Sequence, residues 1–292
     1  MTTVNSTLLK LEGRSGCKLE VLNREGVFFV KKISRETDYS KRLLLQAEKQ
    51  QRYFLQGPQG DFKAPPVLEL APSFEKLTWF EMPYLHGQKY SEFFERSTVK
   101  EIKSLVDKFN DYFSNSFEKA EVAKVDPSLF LLKLSVVKNL LSGRTDINLN
   151  LLQQTLGYLG RVPDSAIPLR PCHGDFTFSN MLFCEDGIYL VDFLDSFVES
   201  PLIDLVKFRQ DTFFYWSLLI ENQLPESRSA KVIQIFNYLD SRVFGNFANN
   251  KFVKEWFNYL QVFNLLRILP YVKQKEEIEF VQKSIQRIIP LP

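Results

Sequence analysis

The sequence predicts an α+β protein in which a small, strand-rich part with one helix precedes a larger, mainly helical part. Two observations support this. Up to about residue 82, apolar residues alternate or form short β-branched and aromatic runs, whereas from about residue 91 they recur at helical spacing. The 292 residues, 45% of them hydrophobic, are enough for a large core. We therefore predict two parts, residues 1–82 and 83–292.

The first part contains three predicted strands and one helix. The strands span residues 18–22, 27–33 and 76–81, and the helix spans residues 39–55. The sequence Asn-Arg-Glu-Gly at residues 23–26 is typical of a turn that joins two strands. Gly57 and Pro58 end the helix, and a Pro-Pro pair at residues 65–66 indicates a loop.

The second part is predicted to be helical except around residues 170–192. There we expect a loop, a short strand, a turn at residues 185–187 and a second strand. The long helix at residues 99–117 carries an apolar stripe that includes Phe109 and Phe113. The predicted helices span residues 91–96, 99–117, 129–141, 151–159, 203–220, 228–242 and 250–288.

Composition excludes several classes of protein. The formal net charge is only +2, from 37 basic and 35 acidic residues, so neither a nucleic-acid nor a membrane partner is expected. Three cysteines form no disulfide framework and suit a reducing compartment. Two histidines are too few for a histidine-based metal site. Without a signal-type segment or an apolar run of about 18–20 residues, we expect a cytoplasmic protein.

The most informative motif spans residues 173–180, His-Gly-Asp-Phe-Thr-Phe-Ser-Asn, and is followed by an apolar run that ends in Asp192. Asp175 can accept a proton from a hydroxyl group. The amide oxygen of Asn180 and the carboxylate of Asp192 are hard oxygen ligands, which Mg²⁺ prefers. Three such groups in this order are what phosphoryl transfer from a Mg²⁺-bound nucleotide to a hydroxyl requires.

His-Gly-Asp-x-x-x-x-Asn followed by Val-Asp-Phe resembles the aminoglycoside phosphotransferase/choline kinase family, small-molecule kinases with a protein-kinase-like fold. The resemblance implies a bilobal structure, with a nucleotide-binding N-lobe at residues 1–82 and a C-lobe at residues 83–292 that carries the hinge, the catalytic loop and the acceptor-binding helices. It implies Asp175 as the base, Asn180 and Asp192 as Mg²⁺ ligands, and ATP or GTP as the phosphate donor. The nucleotide would lie in the cleft between the lobes.

The family also has a strand lysine that binds the phosphates and a helix glutamate that pairs with it. A small residue packs over the adenine two positions before that lysine, and Val30 fits this position, which favours Lys32. Val-Lys-Lys-Ile-Ser also resembles protein-kinase strands in which the first lysine is functional, so Lys31 remains the alternative. Glu48 lies on a helical stripe that we expect to face the core, and a buried carboxylate there needs a partner. We predict a Lys32–Glu48 pair; the alternative is a solvent-exposed Glu48.

Residues 79–87 resemble the family's hinge, a strand that runs into a linker ending in glycine. The backbone groups of Pro83 and Leu85 would then bind the adenine edge; the alternative is a connecting loop without ligand contacts. Residues 12–17 contain two glycines and could cover the phosphates, or form a plain hairpin turn.

The acceptor is expected to be a small molecule with a hydroxyl group, such as a sugar, an amino alcohol or an aminoglycoside. Gly174 stands where protein kinases have an arginine, and eleven residues between Asp192 and Asp204 leave no room for a long activation segment. Asp195 is the candidate acceptor contact, with a solvated loop carboxylate as the alternative. The competing functions are a nucleotide-binding pseudokinase, a protein kinase on the same fold and a nucleotidyl transferase.

Overall fold

The computed structural model describes residues 6–12, 17–72, 77–221 and 226–289. The chain forms two compact units. The first comprises the chain up to Phe93 together with Ser179–Asp195, and the second comprises Phe94–Phe178 and the chain from Ser196 onward. This division differs from the predicted boundary at residue 82, because a segment distant in sequence joins the first unit.

The first unit is built around an antiparallel five-stranded sheet with the strand order β1-β2-β3-β6-β5. A smaller sheet has the order β4-β10-β9, in which β10 pairs in parallel with β4. That pairing fixes the β9–β10 hairpin to the first unit and explains the unit boundary. The elements are β1 (Ser6–Glu12), β2 (Cys17–Arg24), β3 (Val27–Ser34), α1 (Thr37–Leu55), β4 (Phe62–Lys63), β5 (Glu69–Ala71), β6 (Trp79–Pro83), α2 (Tyr90–Arg96), β9 (Met181–Cys184) and β10 (Gly187–Leu190).

The turn between β2 and β3 has the predicted position. Arg24 pairs with Val27, so the loop consists of Glu25 and Gly26, with φ angles of 53° and 86°. Two consecutive residues with positive φ match the right-handed twist of the flanking strands. The side chain of Asn23 accepts a hydrogen bond from the Gly26 N–H at 2.9 Å, which stabilises the turn.

Helix α1 packs on the sheet through a different face from the one predicted. Its buried residues include Leu43, Ala47 and Tyr53, and the core beside it contains Cys17, Val30, Phe80 and Met82. Leu55 and Glu48 are exposed. The prediction that the helical stripe through Glu48 faces the core is therefore wrong. A face that carries an unpaired carboxylate is expensive to bury, and the face with Leu43 and Ala47 avoids that cost.

The second unit is mainly helical, as predicted. Its elements are α3 (Val99–Glu118), β7 (Glu121–Ala123), α4 (Pro127–Leu141), α5 (Leu149–Leu159), β8 (Ile167–Leu169), α6 (Pro201–Thr212), α7 (Trp216–Glu221), α8 (Glu226–Leu239), a π-helical segment (Asp240–Phe244), α9 (Gly245–Phe247), α10 (Lys251–Leu266) and α11 (Lys275–Gln286). A 3-10 turn at Phe178–Asn180 precedes β9.

Two of the helices predicted as continuous are interrupted. Tyr215, with a φ of 60°, separates α6 from α7, because a non-glycine residue in the left-handed region cannot continue a right-handed helix. Pro270 follows the end of α10 and lacks the N–H that a helix needs. A second helix, α11, begins at Lys275.

Aromatic side chains anchor the catalytic motif to the core of the second unit. Phe176 stacks on Tyr112 of α3 with ring centres 4.6 Å apart, and Phe178 lies 5.6 Å from Phe109. Both motif residues are fully buried. Each such aromatic pair contributes about 0.5–1.5 kcal/mol beyond its buried area. In the described ranges, no helix combines the length and the apolarity that a membrane crossing needs.

Candidate active site

Asp204 in the first turn of α6 organises the loop that carries Asp175. One of its carboxylate oxygens accepts the Gly174 N–H at 2.8 Å, and the other accepts the His173 N–H at 2.8 Å. The hydroxyl of Tyr112 donates to the second oxygen, also at 2.8 Å. Asp204 is buried, so these three donors offset the cost of removing its charge from water. Asp204 therefore has a structural role in this loop.

The histidine of the motif holds the same loop. His173 is fully buried, and its Nδ1 atom accepts the backbone N–H of Asp175 at 3.2 Å. The carbonyl of Asp175 accepts the Thr177 N–H at 2.7 Å, which tightens the turn. Gly174 has a φ of 85°, which any other residue would adopt only under strain. These contacts fix the backbone of Asp175 and leave its side chain 32% exposed.

Two further polar residues of α6 face the loop, and sequence reasoning missed the role of both. The Nζ atom of Lys207 lies 3.0 Å from Oδ1 of Asp175. Asp211 is fully buried and accepts hydrogen bonds from the Phe178 N–H at 2.7 Å and from the N–H and Oγ–H of Ser217, both at 2.9 Å. The signal that could have revealed them is the spacing of Asp204, Lys207 and Asp211, which places three charged residues on one face of α6.

Burial raises the pKa of the Asp211 carboxyl to about 7, while the hydrogen bonds from Phe178 and Ser217 act in the opposite direction. The nearby Asp175 carboxylate adds a smaller upward contribution. Asp211 therefore titrates near neutral pH, and its contacts connect the end of the catalytic loop to the start of α7.

In the first unit, Lys32 forms an ion pair with Asp192, which lies 160 positions later in the chain. Its Nζ atom donates to Oδ1 of Asp192 at 2.7 Å and to Oε1 of Gln46 at 3.2 Å. Lys32 is only 2% exposed. Burial alone would lower the pKa of this lysine, but the Asp192 carboxylate and smaller contributions outweigh that effect, and the pKa is raised. Lys32 is therefore protonated over the whole physiological pH range.

Lys31 points to the other face of the sheet. Its Nζ atom lies 3.4 Å from the centre of the Trp79 ring and 3.7 Å from the carboxylate of Glu81. Glu81 is itself paired with Arg24 at 2.8 Å. The contacts of Lys31 are thus structural, whereas Lys32 reaches the aspartate of the second motif. This arrangement favours Lys32 for phosphate binding, which remains a prediction.

The predicted ion pair between Lys32 and Glu48 is wrong. Glu48 is exposed, and the α1 residue that contacts Lys32 is Gln46. The neutral amide can accept a hydrogen bond without adding a second buried charge beside Asp192. The amide nitrogen of Gln46 in turn lies 3.4 Å from the hydroxyl of Tyr39, which orients the amide oxygen toward Lys32.

The two predicted Mg²⁺ ligands lie in the same part of the first unit. The carbonyl of Asn180 accepts the N–H of Val191 at 3.0 Å, so its backbone lies beside the residue that precedes Asp192. Asp192 has a φ of 59°, a left-handed conformation that aspartate adopts more readily than most residues. The buried Lys49 donates to the carbonyl of Leu194 at 2.7 Å and fixes the chain just beyond.

The donor set fits Mg²⁺ that arrives with a nucleotide. The Asp192 side chain is 43% exposed, so its carboxylate can bind both Lys32 and a cation. Across the described residues, no group of three or more His, Cys, Asp or Glu side chains is placed to hold a metal ion. Mg²⁺ usually takes one or two protein oxygens and completes its shell with phosphate oxygens and water. Asn180 and Asp192 match that pattern.

The predicted hinge has a backbone group suitably oriented for a ligand. The N–H of Tyr84 donates to the Phe28 carbonyl at 3.0 Å. Since a trans peptide points its N–H and C=O in opposite directions, the Pro83 carbonyl faces away from β3. A Cβ atom on Gly87 would come within 2.9 Å of Leu182 and Cys184, so only glycine fits there. Leu85 is half-buried. In the predicted phosphate-covering loop, residues 13–16 lie outside the described residues.

The predicted acceptor contact, Asp195, differs in its surroundings from the nearby Glu199. Asp195 is exposed. The Glu199 carboxylate instead accepts the backbone N–H groups of Cys172 at 2.9 Å and Ser196 at 3.3 Å. Glu199 also borders a cavity of about 350 Å³ in the second unit. The other lining residues are mostly apolar: Val125, Leu129, Leu169, Arg170, Pro171, Phe197 and Val198.

The chain resembles solved structures of small-molecule kinases over almost its whole length. An apo structure of a thermostable mutant of aminoglycoside phosphotransferase APH(4)-Ia superposes with a TM-score of 0.62 at 13% identity, covering 98% of this chain and 94% of the other. The same enzyme was solved in a ternary complex with ADP and hygromycin B. A protein from Haemophilus somnus 129PT, assigned as a fructosamine-3-kinase, gives 0.58 at 14% identity, covering 99% and 92%. At this identity the likeness establishes the fold, and it confirms the predicted α+β, protein-kinase-like class.

No curated protein matches the sequence significantly. The model of the phosphotransferase enzyme family, APH, matches residues 13–224, which is well over half of the chain. This match includes β2, β3, the catalytic motif and α6, and it confirms the predicted family and the assignment as a phosphotransferase. The chain belongs to the APH phosphotransferase enzyme family.

Proposed function

We propose that the protein is a Mg²⁺-dependent kinase that transfers the terminal phosphate of ATP or GTP to a hydroxyl group of a small polar metabolite. The observation that carries the proposal is the pairing of the buried Lys32 with Asp192 at 2.7 Å. A strand lysine that is kept charged and a half-exposed aspartate are the groups that phosphoryl transfer requires for the phosphates and for the metal ion.

Asp175 acts as the base in this proposal. Its carboxylate orients the acceptor hydroxyl and takes the proton as the new oxygen–phosphorus bond forms and the bond to the leaving nucleoside diphosphate breaks. Asp204 and His173 support this role because they fix the backbone from His173 to Asp175 through hydrogen bonds of 2.8–3.2 Å. Positioning of this kind supplies much of the rate acceleration in phosphoryl transfer.

Asn180 and Asp192 would hold Mg²⁺ through their side-chain oxygens, and Mg²⁺ would neutralise charge on the phosphates. Lys32 would contact the phosphates, and the carbonyl of Pro83 and the backbone of Leu85 would bind the nucleobase edge. The Pro83 carbonyl faces away from β3, and this orientation supports its proposed contact with the nucleobase. Intact Asp175, Asn180 and Asp192 argue against a pseudokinase, because a chain relieved of catalysis has no need of all three.

A neutral sugar or alcohol is the favoured acceptor class. Glu199, next to the catalytic loop, already accepts two backbone N–H groups, and Asp175 is paired with Lys207. The cavity beside Glu199 has mostly apolar walls. A polycationic aminoglycoside would gain little from these groups, whereas an uncharged hydroxylated molecule avoids burying unpaired positive charge. Asp195, which is exposed, is the carboxylate that could hydrogen-bond an acceptor hydroxyl.

Two variants test the assignment through different readouts. Asp175→Ala should abolish phosphate transfer but retain binding of Mg²⁺–ATP, because it removes the base and leaves the nucleotide contacts intact. Asp192→Ala should weaken Mg²⁺-dependent binding as well as transfer. Calorimetric titration with a non-hydrolysable ATP analogue, with and without Mg²⁺, separates the two cases. Wild-type transfer by both variants would exclude the proposed site.

A further inference from the structure

The proposed mechanism gives no role to Lys207, although its ammonium group forms an ion pair with the Asp175 carboxylate. The Nζ atom of Lys207 lies 3.0 Å from Oδ1 of Asp175. The lysine side chain is 10% exposed and that of Asp175 is 32% exposed. The pair is therefore shielded from bulk water on the lysine side and accessible on the carboxylate side.

Lys207 is held in place by a second contact. Its Nζ atom donates to Oε1 of Gln210 at 3.4 Å, and the same oxygen accepts the amide N–H of Asn264 of α10 at 2.6 Å. All three residues are buried. A lysine side chain loses considerable rotamer freedom when it is fixed in this way, and two anchored contacts favour one position of the ammonium group.

The other titratable groups around Asp175 are two carboxylates and a histidine. Asp204 binds the backbone just before Asp175, and Asp211 binds the backbone three residues after it. The ring of His173 accepts the Asp175 N–H through Nδ1, so that nitrogen carries no proton. Of these two carboxylates, that of Asp211 is close enough to Asp175 for the two to interact electrostatically. Without the positive charge of Lys207, repulsion between these two carboxylates would favour protonation of Asp175.

We infer that Lys207 is a positioning residue that keeps Asp175 ionised and fixes its carboxylate, an inference that rests on the proposed role of Asp175 as the base. A base must be unprotonated to accept the hydroxyl proton. The positive charge of Lys207 favours that state. The acceptor proton moves to the Asp175 carboxylate and is later released to solvent.

Titration of the Asp175 carboxyl by carbon NMR tests the inference without relying on activity. Protein labelled with ¹³C at the aspartate carboxyl carbon would be titrated for the wild type, Lys207→Met and Lys207→Arg, with Asp175→Asn to assign the signal. We expect Lys207→Met to raise the pKa of Asp175 by on the order of one unit, and Lys207→Arg to leave it near the wild-type value. An Asp175 pKa that does not rise in Lys207→Met would overturn the inference.

The pH dependence of phosphate transfer gives a second readout. In Lys207→Met the acidic limb of the rate profile should move to higher pH by about the same amount, with a KM for Mg²⁺–ATP within about twofold of the wild type. A structural lesion would lower the rate at every pH without moving the limb, and would count against the inference. Should Lys207→Met fail to fold, Lys207→Gln replaces it. Absence of Asp175-dependent transfer by the wild type would contradict the proposed function, whereas the NMR titration would still report on Lys207.

Discussion

Replacing Lys32 with methionine should weaken nucleotide binding strongly while leaving the fold intact. Methionine has nearly the same length as lysine and fills the buried site next to Phe80, but it cannot contact a phosphate. Lys31→Met is the matched control, since it removes the same charge from the neighbouring position of β3. The pair of variants separates the loss of a specific contact from a change in net charge.

The expected changes in nucleotide affinity and in protein stability differ, because Lys32 would contact a phosphate in the complex and pairs with Asp192 in the free protein. A hydrogen bond to a charged group contributes about 1.5–3 kcal/mol, so Lys32→Met should raise the Kd for Mg²⁺–nucleotide by roughly 10- to 150-fold. Lys32→Met should lower the free energy of unfolding by less than it weakens nucleotide binding, because Asp192 is 43% exposed and can be hydrated after losing its partner. A partly exposed ion pair contributes about 1 kcal/mol or less, and the variant no longer has to bury an ammonium group.

Isothermal titration calorimetry with non-hydrolysable analogues of ATP and GTP measures these Kd values directly. Lys31→Met should bind within about twofold of the wild type, with a loss of stability of about 0.5–1 kcal/mol from the contact with Trp79. The reverse result, in which Lys31→Met loses affinity and Lys32→Met retains it, would refute the assignment of Lys32. Equal losses in both variants would indicate a nonspecific effect of charge.

Two further predictions concern the support of the catalytic loop. Asp204→Ala should lower the free energy of unfolding by at least about 3 kcal/mol, because three donors lose their acceptor at about 1–3 kcal/mol each. The control is Asp186→Ala, which breaks the exposed pair with Lys63 and should change the free energy of unfolding much less. Equal effects of the two variants in urea denaturation would contradict the role of Asp204. The pKa of Asp211 is about 7 in the folded state against an ordinary value of 3.8, so between these pH values the native state binds more protons than the unfolded state. The free energy of unfolding should therefore fall as pH rises from about 4 to about 7. Relative to Asp211→Asn, the fall should be up to about 4 kcal/mol. Parallel stability curves for the wild type and Asp211→Asn across that range would show that Asp211 does not titrate there.

The elements that sequence patterns predicted well are those in which local signals agree. The β2–β3 hairpin has alternating apolar residues and a loop sequence suited to positive φ angles, and α3 has a clear apolar stripe. The motif residues Asp175, Asn180 and Asp192 could be named because their chemistry is specific. The β4 strand, two residues long, carries no pattern of its own and depends on its pairing with β10.

The errors have physical causes that lie outside the local sequence. The buried face of α1 is set by how Leu43 and Ala47 fit the sheet, and apolar spacing alone allowed a second stripe through Glu48. Lys32 finds its main partner 160 positions away, which no local pattern can indicate. Lys207 was overlooked because a lysine in a helix is usually solvated, and only the packing of α6 against the catalytic loop brings it to Asp175.

The measurement that tests the central claim most directly is transfer of label from γ-³²P-ATP and γ-³²P-GTP, in the presence of Mg²⁺, to a panel of sugars, sugar alcohols, amino alcohols and aminoglycosides. We expect the wild type to give a labelled small molecule from at least one hydroxylated compound, and Asp175→Asn to give none. Label that appears only in protein, label that is released only as pyrophosphate by nucleotidyl transfer, or equal labelling of the small molecule with Asp175→Asn would contradict the proposal that this chain is a small-molecule kinase with Asp175 as its base.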